Sequence, residues 1–154
     1  MRDMTQPVIR HGLIWATAAA GLAVNISALA QFGPPKMGPN ERQVYLVQKD
    51  QSDCTNSDVP NVDSPLVRGN IWVTRGADPN TSVKVALTAK PSTKYNFFLK
   101  CVRQLGDIHT DEEGVANVVF TFPTNAVGAV FAFDMYPDGA PLGNKFQSAQ
   151  VSFQ

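Results

Sequence analysis

Carboxylate and amide side chains are concentrated in one polar stretch, residues 49–65, where they could hold a hard cation. Four aspartates and two asparagines lie there: Asp50, Asp53, Asp58 and Asp63, with Asn56 and Asn61. Oxygen ligands crowded on a loop are what Ca²⁺ needs, but the stretch lacks the glycine and the closing glutamate of an EF-hand loop. We therefore interpret it as a solvated loop without metal, and a calcium site formed by the four aspartates is the alternative.

Other patterns of catalytic or metal-binding residues are not found in the sequence. After residue 30 there is one histidine, His109, whereas zinc and copper sites use several His or Cys ligands. No G-x-S-x-G segment offers a nucleophile, and no P-loop or G-x-G-x-x-G loop is present. No two acidic residues stand out as a glycosidase pair. The sequence therefore predicts no enzyme and no cofactor, with His109 in a solvated loop.

The first 30 residues have the pattern of a secretory signal peptide. Arg2 and Arg10 give a positive segment before an apolar run at residues 13–23. Ala28-Leu29-Ala30 is a small-x-small cleavage site. The run is shorter than the roughly 20 residues of a spanning helix, and no later run is longer. We therefore expect an exported bacterial protein, secreted or periplasmic, with no membrane span; an uncleaved anchor is the alternative.

Charge does not select a partner for this chain. After removal of residues 1–30, 11 basic and 12 acidic residues would remain, which gives a net charge of −1 with histidine neutral. Nucleic-acid-binding proteins carry basic patches that neutralise phosphates, and anionic lipids attract basic clusters. We therefore expect no nucleic acid and no anionic membrane surface as partner.

After a Gly/Pro-rich arm, residues 31–42, short apolar strands alternate with turns. The predicted strands are residues 43–48, 67–75, 82–89, 94–103, 115–122, 129–136 and 145–153. The gaps hold the Gly, Pro, Asn and Asp residues of tight turns, including a hairpin turn at 111–114 with Gly114 at positive φ. Apolar and polar residues alternate along the strands, which places Val83, Val85 and Leu87 on a core face and Lys100 and Ser148 on solvated faces. The pattern predicts one all-β domain, residues 43–154, an antiparallel sandwich of about seven strands.

The two cysteines, Cys54 and Cys101, predict a disulfide bond. An even pair in an exported chain is most simply a bridge, and the spacing excludes a C-x-x-C redox site. Side-chain alternation places Cys101 on the core face of its strand, so the bridge would tie the polar stretch to the core. Closing the 47-residue span would stabilise the fold by about 4 kcal/mol. Two free thiols are the alternative.

Three aromatic residues are predicted on the solvated faces of their strands. Trp72, Phe98 and Tyr136 have the alternation opposite to the core residues beside them. Aromatic rings on such a face can stack on sugars or anchor a protein. The three therefore form the predicted binding face if their strands are neighbours. A bulge that reverses the alternation, or cover by the arm, is the alternative.

Residues 87–95, LTAKPSTKY, resemble the proline-to-tyrosine turn of fibronectin type III and related immunoglobulin-like sandwiches. The resemblance implies an immunoglobulin-like arrangement, with residues 94–103 as a central strand and Tyr95 as a corner tyrosine whose hydroxyl bonds back to the turn. The segments Leu105-Gly106, 110–114 and Phe146-x-Ser148-Ala149 are similar to those of small exported bacterial sandwich proteins. That likeness implies no activity.

The leading hypothesis is a non-catalytic binding or interaction module of the cell envelope or the extracellular space. Its partner would be an unknown protein or a glycan. A calcium-dependent or small hydrolytic protein that uses residues 50–63 is one alternative, and a purely structural envelope protein is the other.

Overall fold

The computed structural model describes residues 37–49, 59–139, 141 and 143–154. Four sequence predictions concern residues outside these ranges. They are the signal peptide at residues 1–30, residues 31–36 of the arm, Cys54, and the calcium candidates Asp50, Asp53 and Asp58.

Short strands make up most of the described chain. They are β1 (Glu41–Gln48), β2 (Val67–Arg75), β3 (Asn80–Thr88), β4 (Lys94–Leu99), β5 (Arg103–His109), β6 (Val115–Pro123), β7 (Val130–Phe131), β8 (Phe133–Pro137), β9 (Phe146–Ser148) and β10 (Val151–Ser152). A 3-10 turn, Thr124–Ala126, is the one helical element in this part of the chain. β2 has its predicted bounds, and β1, β3 and β6 differ from theirs by two residues or fewer. The predicted all-β class is confirmed.

Eight strands form one antiparallel sheet that curls until its two edges approach each other. The order is β5-β4-β8-β9-β1-β2-β3-β6, and β7 pairs with β10 separately. The edge strands β5 and β6 follow each other in the chain. Gly106 of β5 lies so close to Phe120 of β6 that a Cβ on the glycine would be 2.7 Å from the ring. The main sheet is therefore nearly barrel-shaped, with eight strands rather than about seven, and the immunoglobulin-like sandwich stays a prediction.

The core lies inside this curl, and most of its residues are those that alternation predicts. Phe97 of β4 stacks on Phe120 of β6 and on Phe133 of β8, with ring centroids 5.1 and 5.3 Å away. Val83 and Val85 of β3 are fully buried. A sandwich and a curled sheet bury the same alternating positions, so the sequence pattern could not distinguish them.

The predicted strand 94–103 is in fact a hairpin. β4 ends at Leu99, the backbone N–H of Val102 donates to the carbonyl oxygen of Leu99 at 2.9 Å, and β5 begins at the next residue. Cys101 takes φ 57° in this turn, a conformation that glycine adopts more readily. The alternation is broken here, so Cys101 is exposed rather than in the core. Lys100, predicted to be solvated, keeps its face but is buried against Asp134 and Gln147. The turn contains no Gly, Pro, Asn or Asp, so its sequence carried no turn signal.

The last two predicted strands are also interrupted. Residues 129–136 divide into β7 and β8, and residues 145–153 divide into β9 and β10. Ser148, predicted on the solvated face, is fully buried. Its Oγ accepts the N–H of Phe133 and donates to the carbonyl oxygen of Ala149, both at 2.8 Å. The hydroxyl thus satisfies backbone groups where the chain leaves the main sheet for the two-stranded ladder.

Tyr95 holds the turn before β4. Its hydroxyl accepts a hydrogen bond from the backbone N–H of Lys90 at 3.2 Å, which is the bond back to the turn that the sequence resemblance implied. Thr110 Oγ1 donates to the carbonyl oxygen of Lys90 at 2.7 Å and accepts the N–H of Thr93 at 3.0 Å. Burial raises the pKa of Tyr95, and the bond from Lys90 partly opposes that rise. Two buried or half-buried hydroxyls therefore fix this turn.

Replacing Tyr95 with Phe should lower the free energy of unfolding by about 1 kcal/mol, because the N–H of Lys90 loses its acceptor. Chemical denaturation measures the change. Tyr45→Phe is the matched control, since among the described residues Tyr45 hydrogen-bonds through its backbone rather than its hydroxyl. An unchanged denaturation midpoint for the Tyr95 variant would contradict a stabilising role for its hydroxyl.

Gly114 is the last residue of the turn that joins the two edge strands, β5 and β6. Its φ is 84°, as the sequence predicted, and a Cβ there would lie 2.3 Å from the carbonyl oxygen of Ala89. Asp111 Oδ1 accepts the N–H groups of Glu113 at 3.0 Å and Val115 at 2.7 Å. Both the backbone conformation and the space at this position therefore require glycine.

Gly114→Ala should destabilise the protein by more than the about 1–2 kcal/mol that a left-handed alanine costs, because the clash with Ala89 adds to it. Gly139→Ala is the control, since Gly139 has φ 76° but open space within 4 Å of its Cβ position. Thermal unfolding of both variants measures the difference. Equal losses would show that the close approach to Ala89 contributes nothing.

Candidate binding site

Phe98 and Tyr136 lie side by side on the outer face of the main sheet. In the register of β4 and β8, Phe98 is opposite Asp134 and Asn96 is opposite Tyr136, so the two aromatic residues are diagonal neighbours. Their ring centroids are 4.8 Å apart and their planes differ by 15°. Both side chains are partly exposed. Each ring therefore restricts the orientation of the other while leaving surface for a ligand.

Trp72, the third residue of the predicted binding face, lies elsewhere on the sheet. It belongs to β2, and β9 and β1 separate that strand from β8. With neighbouring strands about 4.8 Å apart, Trp72 is removed from the aromatic pair by roughly 14 Å. Lys84 instead places its Nζ 5.4 Å from the centroid of the Trp72 ring. The structure thus brings two of the three predicted residues together, and ligand binding by them stays a prediction.

A cavity of about 470 Å³ opens beside the aromatic pair. Its wall includes both rings and, among other residues, Arg103, Asp134, Lys145 and Gln147. The hairpin turn at residues 100–102 contributes Cys101 and Val102 to the same wall. The volume falls in the range of about 300–1,000 Å³ that small-molecule sites occupy. Aromatic, charged and amide groups therefore converge on one concave surface.

A buried lysine organises the polar groups of this wall. The side chain of Lys100 is 4% exposed, and its Nζ lies 2.7 Å from Gln147 Oε1 and 3.8 Å from Asp134 Oδ1. Asp134 and Gln147 stand opposite each other on β8 and β9. A buried ammonium is tolerated only with such partners. The three side chains therefore hold one another in place behind the aromatic pair.

The same surroundings raise the pKa of the Tyr136 phenol. Burial raises the pKa of Tyr136 above its ordinary value, and the negative charge of Asp134 raises it further. The phenol is therefore protonated at neutral pH and keeps its hydrogen-bond donor. It can donate to an oxygen of a ligand in the cavity.

Another cavity, of about 670 Å³, lies near the turn that Tyr95 holds. Its wall includes Tyr95 and Arg68, and the side chain of each already makes a hydrogen bond to the backbone. The Tyr95 hydroxyl accepts from Lys90, and Arg68 Nη1 donates to the carbonyl oxygens of Pro65 and Val67 at 2.8 and 3.2 Å. These groups serve the fold. The cavity beside Phe98 and Tyr136 is therefore the better candidate for a ligand.

The predicted calcium residues are only partly within the described chain. Three lie outside it: Asp50, Asp53 and Asp58. Asp63 is exposed, and the described residues contain no group of three or more His, Cys, Asp or Glu that could hold a metal ion. Asn61 Nδ2 donates to the carbonyl oxygen of Gln43 at 3.1 Å, and its Oδ1 accepts the N–H of Tyr45 at 2.9 Å. Asn61 thus supports β1, and the calcium site stays an untested prediction. His109 is exposed at the end of β5 rather than in a loop.

The polar residues in and directly behind the cavity wall were not predicted, although a signal for two of them exists. Lys100 lies two residues after Phe98, and Asp134 lies two residues before Tyr136. Residues two apart in a strand share a face, so Phe98 has a basic neighbour on its face and Tyr136 has an acidic one. Gln147 and Lys145 carry no comparable signal, because the predicted strand 145–153 breaks between β9 and β10 and its alternation does not continue across the break.

A scan of the chain against protein-family models gave no match, and a search of curated proteins gave none either. Within the described residues, no helix is long and apolar enough to cross a membrane. The function is therefore inferred from the chemistry of the cavity.

Cys101 lies in the cavity wall and is not a free thiol. Cys54, the only other cysteine of the chain, lies outside the described residues, so the pairing stays a prediction. We expect reduction to raise the intact mass of the purified protein by the mass of two hydrogen atoms. A non-reduced digest should contain both cysteines in one linked pair of peptides. An unchanged mass would rule out the bridge.

Proposed function

We propose that this protein is an exported, non-catalytic binding module that holds a sugar ring of a glycan in the cavity beside Phe98 and Tyr136. The observation that carries the proposal is the stacked aromatic pair, 15° from parallel, in the wall of a cavity of about 470 Å³. Two parts of this proposal, the export of the protein and its immunoglobulin-like arrangement, are inferred from the sequence alone.

The chemistry of the wall suits a sugar. The C–H groups on one face of a sugar ring pack against aromatic rings, and its hydroxyls need hydrogen-bonding partners around the edge. Tyr136 offers a phenol, and Gln104 offers an amide in the same wall. The aromatic pair is also built into two neighbouring strands rather than into a loop. Rigid placement lowers the entropic cost of binding.

The composition of the wall favours binding over hydrolysis. Glycoside hydrolysis usually employs two carboxyl groups placed on either side of the bond. Asp134 is the carboxylate in the described wall, and its Oδ1 lies 3.8 Å from the buried Lys100 Nζ. An ion-paired carboxylate that also anchors the wall is poorly suited to moving protons. This supports a module that holds its ligand unchanged.

Thermal unfolding of the purified protein across a glycan panel tests the proposal, because a ligand that binds only the folded state raises the midpoint. We expect at least one glycan to do so. Phe98→Ala and Tyr136→Ala should each weaken its binding by about two- to tenfold, as the loss of an aromatic stacking contact predicts. Trp72→Ala is the matched control and should bind as the unaltered protein does. A panel without any shift, or a loss confined to the Trp72 variant, would contradict the site.

A further inference from the structure

We infer that the sugar taken by this cavity is acidic, with a carboxylate on its ring, and that the positive charges of Arg103 and Lys145 in the wall attract that carboxylate. The inference rests on the proposed function, since it names the ligand class of the same cavity. It is carried by where the two cations lie relative to the aromatic pair, and by the absence of ion-pair partners for them among the described residues.

The two cations flank the aromatic pair across the sheet. Arg103 begins β5, next to the strand of Phe98. Lys145 directly precedes β9, next to the strand of Tyr136. Extending the register of β8 and β9 by one residue places Lys145 opposite Tyr136. Both cations belong to the cavity wall. In the register of β4 and β5, Gln104 is opposite Phe98 and Arg103 is opposite Leu99 at the end of the hairpin. The cavity wall thus carries one cation on each side of the two strands that hold the aromatic pair.

Neither cation is neutralised by the described part of the chain. The described ion pairs engage other residues: Lys94 pairs with Asp107 and Asp138 at 3.4 and 3.9 Å, and Lys100 pairs with Asp134. Arg103 and Lys145 form no ion pair with any described residue. The carboxylate of the wall, Asp134, already faces the Lys100 ammonium. The site thus offers two cations to a ligand in a chain whose formal net charge is zero.

A sugar carboxylate matches this arrangement better than a neutral sugar does. Guanidinium groups bind carboxylates through two parallel hydrogen bonds, and charge-assisted bonds are about twice as strong as neutral ones. A neutral sugar would satisfy the aromatic rings but leave both cations facing solvent. A free anion would satisfy the cations but leave the rings uncovered. A uronic acid engages both sets of groups at once.

Titrations with methyl glucuronide and methyl glucoside test the inference, because the two differ only at the carboxylate. NMR titration of the purified protein gives both dissociation constants. We expect the glucuronide to bind about tenfold more tightly or better, and raising NaCl from about 50 to about 500 mM should weaken its binding alone. Sodium acetate is the third probe and should compete poorly, since it lacks the ring.

Arg103→Gln and Lys145→Gln should each weaken glucuronide binding several-fold more than they weaken glucoside binding, which reduces the preference for the glucuronide. Lys84→Gln removes a cation far from the cavity and is the control, expected to keep the preference. Equal binding of the two sugars, or a preference that survives both cavity variants, would refute the acidic ligand and leave glycan binding intact. Acetate that competes as well as the glucuronide would show a simple anion site and also refute it. If neither sugar binds and no glycan raises the unfolding midpoint, the proposed function fails together with the inference.

Discussion

The hydrogen bond between the N–H of Val102 and the carbonyl oxygen of Leu99 reverses the chain, and most of the candidate site depends on that reversal. It ends β4 and starts β5, so a predicted single strand becomes an edge hairpin. Lys100, just before the reversal, stays on the face of Phe98, where it contacts Asp134 and Gln147, whereas the reversal turns Cys101 outward. Without it, the alternation of β4 would continue and Cys101 would point into the core instead of lining the cavity.

The curl of the main sheet explains why one side is a core and the other carries the site. Closing the sheet brings Phe97, Phe120 and Phe133 into one stacked cluster, so the inner face is filled. The outer face of β4 and β8 then curves away from the core. Phe98 and Tyr136 stand on that outer face, one position along their strands from core residues. The core and the candidate site thus share the same strands and are separated only by side-chain alternation.

Much of the fold could be predicted from alternation and turn residues, but the candidate site could not. β2 and the buried set Val83, Val85 and Leu87 agree with the prediction because their strands are regular. The hairpin at residues 100–102 was missed because a cysteine occupies a left-handed position that usually belongs to glycine. Ser148 was placed outward because its buried backbone partners arise only from tertiary structure. The grouping of Phe98 with Tyr136, and the separation of Trp72, required the strand order, which no local pattern encodes.

Asn61 has a consequence for how the protein behaves at high concentration. β9 pairs with β1 only from Leu46 to Gln48, so the first half of β1 has a side that this partner does not cover. The Asn61 amide bonds there to the backbone of Gln43 and Tyr45, as one residue of a neighbouring strand would. Open strand edges recruit strands from other molecules and lead to aggregation. The Asn61 amide thus occupies two of the backbone groups that a strand from a second copy would otherwise pair with, and the N–H of Ala149 occupies the carbonyl oxygen of Tyr45 beside them.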